Sequence, residues 1–190
     1  MKIAFHGAAR TVTGSKHLLT LRNGKKYLLD CGMFQGMGRD TLTLNSNWGF
    51  DPTQITCVVL SHAHIDHIGL LPKLVKDGFK GKIYCTPATA DLAQLLLLDS
   101  ARIQDADIRY VNKERKKQHR EPVDPLYSEE DAKDVFPLFH TVAYGEHFAI
   151  DPDIELLYTD GGHIIGSAAV HLRIRERGKT ISVSFSGDIG

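Results

Sequence analysis

One hexapeptide constrains this chain more than any other feature. His62-Ala63-His64-Ile65-Asp66-His67 follows the short apolar run 56–60 and precedes residues 68–77, whose apolar positions have helical spacing. In a chain with 10 His among 190 residues, chance produces such a segment roughly two times in a thousand. The segment is predicted to join a buried strand to a helix, where side chains are held rigidly enough to converge.

The residue types in this hexapeptide are those that bind metal ions. Two imidazoles two residues apart can reach one ion, and Asp66 and His67, at the start of the helix, would face a second position. A carboxylate beside imidazoles suits Zn²⁺, with manganese or iron as alternatives. The competing interpretation is a polar turn in which the histidines only form hydrogen bonds.

Two further candidate ligands follow predicted strands. His163 lies in a glycine-containing turn after the strand 154–159, and Asp188 comes just after the strand 180–186. A lone His in this position is more often structural, and a lone Asp at a strand end is more often a turn residue or a helix cap. Together with the hexapeptide, both become candidates for the same site.

The remaining pattern predicts two groups of strands separated by helices. The predicted strands are 2–6, 15–21, 25–31, 56–60, 82–85, 139–143, 146–150, 154–159, 169–175 and 180–186. The predicted helices are 68–77, 87 to about 111, and 129 to about 138. Residues 33–54 and 112–127 are predicted to be irregular. This order indicates a sheet-on-sheet core with helices packed outside, a layered α/β arrangement.

Composition restricts the function less sharply. Lys plus Arg and Asp plus Glu number 23 each, so no net charge attracts a polyanion. The basic run 109–120 is a candidate for phosphate contacts, although cations at a helix end are more often simply solvated. Its candidate residues are Arg109, Lys113, Arg115, Lys116, Lys117 and Arg120.

The chain has no pattern of a secreted or membrane protein. Its three cysteines are widely spaced, its apolar runs are too short to span a bilayer, and its first residues lack the apolar core of a signal peptide. We therefore expect a cytoplasmic protein that does not enter a membrane.

The order of these residues resembles the metallo-β-lactamase fold. Asp30, at the end of a predicted strand, is followed along the chain by the hexapeptide, His163 and Asp188, in the order and contexts of the first four motifs of that fold. Further stretches resemble its β-CASP branch of RNA-processing nucleases: GAARTVTGS at 7–15, LDCGMFQG at 29–36, TPATAD at 86–91 and GHIIGSA at 162–168. The resemblance implies an αββα sandwich of which residues 1–190 are the amino-terminal portion, with a β-CASP cap and a return to the core expected beyond residue 190.

The resemblance also implies roles for the candidate residues. His62, His64 and His163 would bind a first zinc ion, Asp66 and His67 a second, and Asp188 would bridge the two. Asp30 would accept a hydrogen bond from a ligand imidazole and orient it. Asp66 and Asp188 would serve catalysis by positioning a metal-bound hydroxide for hydrolysis of a phosphodiester, with RNA as the implied substrate.

Two other functions stay open at this point. A small-molecule hydrolase of the same fold would act on a thioester or a lactam, and a non-catalytic fragment would bind metal without turnover. The resembled family supplies a further zinc-binding histidine from beyond residue 190, so residues 1–190 alone are expected to bind the second ion weakly and not to turn over. Association into a homo-oligomer is also left open.

Overall fold

The strands form two sheets, which confirms the predicted α/β layering. The computed structural model describes residues 1–190, leaving aside the side chain of residue 39. The first sheet contains, in spatial order, β1 (Lys2–Gly7), β2 (Lys16–Thr20), β3 (Lys26–Leu29), β4 (Ile55–Val59), β5 (Lys82–Cys85) and β6 (Phe139–Thr141). The second contains β7 (Phe148–Asp151), β8 (Ile154–Asp160), β9 (Ala168–Glu176) and β10 (Lys179–Phe185).

Two apolar layers hold the elements together. One lies between the two sheets, and the other lies between the first sheet and the helices. Neighbouring residues Leu28 and Leu29 belong to different layers because successive side chains of a strand point to opposite faces. The helices are α1 (Thr41–Ser46), α2 (Ile65–Ile68), α3 (Leu71–Lys76), α4 (Pro87–Lys117) and α5 (Glu129–Lys133). Buried side chains from α2 to α5 join the outer layer, so the described residues form the helix–sheet–sheet part of an αββα sandwich.

The strand directions place several strand ends at one edge of the sandwich. Strands β3, β4 and β5 are parallel, and β8 and β10 run in the same direction because each is antiparallel to β9. Parallel strands present their carboxyl ends at one edge of a sheet, which is where ligands meet such sheets. The candidate residues follow β3, β4, β8 and β10, so this edge carries the site.

The prediction that residues 33–54 are irregular is wrong in part, because α1 lies within them. The side-chain amide of Asn45 donates to the backbone carbonyl of Phe34 at 2.9 Å and accepts from its N–H at 2.8 Å. This pair of hydrogen bonds satisfies the buried amide of Asn45 and fixes the short helix against a segment eleven residues earlier. Six residues are too few to form a stable helix without such tertiary support.

The helix predicted over 68–77 corresponds to α3 (Leu71–Lys76), and a separate short helix, α2 (Ile65–Ile68), ends where the predicted one begins. Pro72 has no N–H to donate to the carbonyl of Ile68, so the helical hydrogen-bond ladder cannot run through it. The N–H of Leu70 bonds instead to the carbonyl of Cys31 at 2.9 Å. Helix α3 starts afresh with Pro72 in its first turn and ends before Gly78, as predicted.

The two later helices also differ in length from the prediction. Helix α4 runs to Lys117, about six residues beyond the predicted end, because Asn112 exchanges two hydrogen bonds of 2.8 Å with the backbone of Val123 and pins the returning chain. Helix α5 ends at Lys133, and a single 3₁₀ turn over Phe136–Leu138 replaces the predicted remainder. No helix in the described part of the chain is long and apolar enough to cross a membrane.

Gly32 allows a close approach of two backbone segments that the site needs. A Cβ atom at position 32 would lie 1.6 Å from the carbonyl oxygen of Asp66 and 2.8 Å from the backbone nitrogen of His67. We therefore expect Gly32→Ala to lower the free energy of unfolding by about 3 kcal/mol, measured by urea denaturation, because backbone cannot move aside as a side chain can.

Gly145→Ala is the matched control for this substitution. Gly145 has a φ of +76° and nothing within 4 Å of its Cβ position, so only the left-handed backbone conformation opposes alanine. Its cost should be about 1 kcal/mol. A loss for Gly32→Ala no larger than that of the control would contradict the close-packing argument.

Candidate metal centre

Four candidate residues meet at the carboxyl edge of the sheets. One ligand atom from each of His62, His64, His163 and Asp188 lies within 4.8 Å of all the others. The nearest pairs are His62 Nε2 and His64 Nδ1 at 3.0 Å, and His163 Nε2 and His64 Nδ1 at 3.2 Å. Residues up to 126 positions apart in the chain thus present imidazole and carboxylate atoms to one small volume.

The local backbone explains how the two outlying ligands arrive there. His163 follows β8 in a turn that contains Gly162, whose φ of +69° favours glycine. Asp188 follows Gly187, which has a φ of +60°; a Cβ there would lie 2.7 Å from the Cβ of Ser61. Both glycines therefore let the chain turn tightly after a strand and bring its next ligand back over the hexapeptide.

A second group of ligand atoms lies beside the first. The Nε2 atom of His67 is 3.3 Å from Oδ1 of Asp188 and 3.7 Å from Oδ2 of Asp66. The other oxygen of Asp188 faces the first group, at 3.9 Å from His62 Nε2 and 3.7 Å from His163 Nε2. Asp188 therefore lies between the two groups, as a bridging ligand would. Asp66 and His67 adjoin the four-residue cluster but are not members of it.

The carboxylate of Asp30 holds both ends of the hexapeptide region through hydrogen bonds to Ser61 and His67. It is fully buried and accepts the ring N–H of His67 at 2.7 Å, the backbone N–H of Ser61 at 2.8 Å and the hydroxyls of Ser61 and Ser15 at 2.9 and 3.1 Å. A buried carboxylate requires such partners to offset its loss of hydration. The contact through Nδ1 of His67 leaves its Nε2 atom facing Asp188.

Ser61 extends this arrangement to a second imidazole. Its hydroxyl lies 3.0 Å from Nδ1 of His62, and a hydroxyl that donates to Asp30 accepts from that ring nitrogen. The Nε2 atom of His62 is then the unprotonated one that faces the cluster. Neither Ser61 nor Ser15 was a predicted site residue; the position of Ser61 directly before the hexapeptide was the only available signal for it.

The pKa values of the two buried imidazoles shift in opposite directions. Burial lowers the pKa of His62 to about 4, and the neighbouring His67 adds to that effect. Burial would also lower the pKa of His67, but the hydrogen bond and charge of Asp30, with smaller effects of Asp66 and Asp188, raise it instead. His62 is thus neutral at pH 7, the form in which imidazole binds a metal.

This donor set fits a borderline divalent cation. Imidazole nitrogens and carboxylate oxygens at one site, with a carboxylate behind a ligand histidine, are the chemistry that protein zinc sites use. The cluster offers three nitrogens and one oxygen for a first ion, and Asp66, His67 and Asp188 offer donors for a second. The alternative of a merely hydrogen-bonded turn does not explain why three imidazoles from two separate segments converge.

The basic run lies far from these ligands. Helix α4 begins beside the turn of His163, where the hydroxyl of Thr89 contacts the carbonyl of Gly166 at 2.9 Å. Because a helix rises about 1.5 Å per residue, Arg109 lies about 30 Å along the axis from Thr89, and Lys117 about 40 Å. These cations therefore do not reach a phosphate held at the cluster. Arg109 and Lys117 also pair with acidic residues of their own helix, Asp105 and Glu114.

Substitution of Asp30 tests whether its carboxylate supports a metal site. We expect Asp30→Asn to weaken zinc binding about 10-fold to 100-fold, measured by competition with a chromophoric chelator, because the hydrogen bond that orients His67 loses its charge. Asp151→Asn is the control, since it breaks a partly buried ion pair with Lys25, which lies before the amino end of β3 and not at the carboxyl edge. Equal zinc affinity in the wild type and in Asp30→Asn would contradict this role.

Comparison with known proteins identifies the family. Residues 17–178 match the metallo-β-lactamase superfamily. The chain is 36% identical over 190 residues to ribonuclease TTHA0252 of Thermus thermophilus, and 34% identical over 189 residues to transcription termination factor FttA of Methanosarcina mazei. These alignments cover 100% and 99% of this chain, but only 38% and 27% of the two relatives.

Solved structures agree on the fold. The chain superposes on BJP-1, a subclass B3 metallo-β-lactamase of Bradyrhizobium japonicum, with a TM-score of 0.53 and 16% identity, covering 96% of this chain and 58% of that one. The Rm3 metallo-β-lactamase gives a TM-score of 0.52 with 15% identity over 96% and 57% of the two chains. At this identity the similarity concerns the fold alone. With its matched residues, its two-sheet sandwich and its His and Asp cluster, the chain belongs to the metallo-β-lactamase superfamily.

Proposed function

We propose that this chain carries the metal centre of a zinc-dependent phosphodiesterase that acts on RNA. The observation that supports it most directly is the convergence of His62, His64, His163 and Asp188 within 4.8 Å, in a chain that aligns along its whole length with a ribonuclease. The superfamily alone supports a metal-dependent hydrolase. The relatives named as a ribonuclease and a termination factor favour RNA over a thioester or a lactam.

We assign two zinc ions to the site, with manganese or iron as substitutes. His62, His64 and His163 would hold the first, Asp66 and His67 the second, and Asp188 both. Bound zinc lowers the pKa of a coordinated water to about 7 and neutralises charge that develops on phosphate oxygens. Asp188 presents a carboxylate oxygen to each group and Asp66 presents one to the second group, and through the ions both would orient the attacking oxygen. Asp30 keeps the proton of His67 on Nδ1 throughout.

We assign the basic run a role in binding RNA that is separate from catalysis. Its cations are too far from the cluster to touch the scissile phosphate, so their contribution would be to hold RNA some distance from the cleavage point. Lys113, Lys116 and Arg120 are exposed and enter no ion pair among the described residues, which leaves their charges available to phosphates. Arg109, Arg115 and Lys117 contact their own helix or the following loop, which makes them the weaker candidates.

Loss of one central imidazole tests the proposed activity. We expect His64→Ala to reduce hydrolysis of single-stranded RNA and of bis-p-nitrophenyl phosphate about a thousand-fold, because metal catalysis supplies several kcal/mol of transition-state stabilisation. The measurement is made on a longer polypeptide that contains this chain and whose wild-type form hydrolyses RNA. His147→Ala, which alters an exposed histidine paired with Glu155, is the matched control and should keep full activity.

Two outcomes would contradict the proposal. Equal phosphodiesterase activity in the wild type and in His64→Ala would show that the cluster is not the catalytic centre. Hydrolysis of a thioester or a lactam, with no activity on RNA in a polypeptide that binds zinc, would favour the small-molecule hydrolase.

Salt dependence tests the part assigned to the basic run. Replacing Lys113, Lys116 and Arg120 by Gln should reduce the magnitude of one slope, that of log affinity for single-stranded RNA against log salt concentration. The reduction should be about 2, since each phosphate contact contributes about 0.7 to the slope. The rate on bis-p-nitrophenyl phosphate should not change, because that substrate is too small to reach the basic run near the end of α4. Lys80→Gln with Lys82→Gln, near the opposite end of the first sheet, is the control. An unchanged slope would show that these three residues do not contact RNA phosphates.

A further inference from the structure

We propose that three hydroxyl groups, those of Thr86, Thr89 and Ser167, are positioning residues that hold His163 in place for metal binding. The inference rests on the proposed function, because it takes His163 to be a metal ligand. All three side chains are buried, at 2%, 0% and 1% exposure. They join the start of α4 to the turn 161–167, which is otherwise a surface loop between two strands.

The first part of this arrangement is a double contact on the carbonyl of Gly166. The hydroxyl of Thr86 donates to this oxygen at 2.7 Å and that of Thr89 at 2.9 Å. The single hydroxyl proton of Thr86 has two acceptors within reach, this carbonyl and the hydroxyl of Thr89 at 3.0 Å, whereas Thr89 donates to the carbonyl alone. Gly166 is held against the helix as well, since a Cβ at its φ of +82° would lie 2.6 Å from the backbone nitrogen of Thr89.

Thr86 is needed at the start of α4 whether or not a metal is bound, whereas Thr89 is not. The Thr86 hydroxyl accepts the N–H of Thr89 at 3.3 Å, which is an ordinary helix N-cap. The hydroxyl of Thr89 caps no backbone N–H of the helix. Its contacts are with Thr86 and with the carbonyl of Gly166, so its donor role is directed at the turn.

Ser167 closes the turn from inside. Its hydroxyl oxygen accepts the N–H of His163 at 3.1 Å and that of Ile164 at 3.3 Å, and its own N–H returns to the carbonyl of Ile164 at 2.9 Å. The carbonyl of Ser167 accepts from the hydroxyl of Tyr144 at 2.7 Å. The backbone of His163 is therefore fixed by a side chain four residues later.

The turn is also tied to the hexapeptide. The N–H of Ala168 donates to the carbonyl of Ser61 at 2.8 Å, so the end of the turn is bonded to the residue directly before His62. Fixing Gly166 and Ser167 thus fixes the separation between the two segments that bring imidazoles to the cluster. Outer hydrogen bonds of this kind set the affinity of a metal site by holding its ligands at binding distance.

The test removes hydroxyls without removing bulk. In Thr89→Val the zinc dissociation constant should rise about ten-fold, and in Thr86→Val with Thr89→Val about a hundred-fold, because only the double variant leaves the Gly166 carbonyl without a donor. Zinc affinity is measured by chelator competition, and the visible spectrum of the cobalt-substituted protein reports coordination. Thr89→Ser, which keeps the hydroxyl, should restore wild-type affinity.

Controls separate positioning from general stability. Ser128→Ala removes a comparable helix cap, that of α5, away from the cluster. It should lower the unfolding temperature in EDTA and leave the zinc affinity and the cobalt spectrum unchanged. If the double valine variant does not fold, Thr89→Val alone decides the question, since it keeps the α4 cap.

His163→Ala distinguishes the two levels of the argument. Weak zinc binding in His163→Ala with wild-type binding in Thr89→Val and the double variant overturns the positioning role and leaves the proposed site intact. Wild-type zinc binding in His163→Ala overturns the ligand assignment, and the positioning role with it.

Discussion

The buried carboxylate of Asp30 is the interaction on which the site depends. A charge with no exposure to solvent is stable only where donors replace water, and here four donors from Ser15, Ser61 and His67 do so. Those donors come from two separate segments, around Ser15 and over 61–67, so the positions of the two segments are fixed relative to one another. The requirement to satisfy one buried charge thereby sets the orientation of His67 directly and that of His62 through Ser61.

The sheets supply the second constraint. The carboxyl ends of β4, β8 and β10 lie at one edge of the sandwich, and each is followed by a candidate ligand within a few residues. Strand ends are anchored by ladder hydrogen bonds and by the two apolar layers, so the candidate ligands are held in place before any ion is bound. The long helix α4 starts at this same edge, and its cations lie near its far end. Any phosphate contact made by these cations would therefore be distant from the candidate metal centre.

Fold and substrate are different questions for this protein. Superposition on β-lactamases at 15–16% identity concerns the sandwich and not the reaction, because one such fold supports several hydrolytic chemistries. The ligand cluster is chemically suited to any of them. The proposal that the substrate is RNA rests on the relatives aligned along the whole chain, which are themselves more than twice its length.

The sequence by itself determined the strands, the start of α4 and the candidate ligands, because each has a signal within a few residues. Pro72 is a local signal as well, but the prediction of a helix over 68–77 rested on the spacing of apolar residues. Only the tertiary structure decided the existence of α1, the length of α4 and the partners of Asp30, Ser61 and Thr89. Each depends on contacts between residues that are distant in sequence, such as Asn45 with Phe34 and Thr89 with Gly166. A local pattern contains no information about a partner 77 positions away.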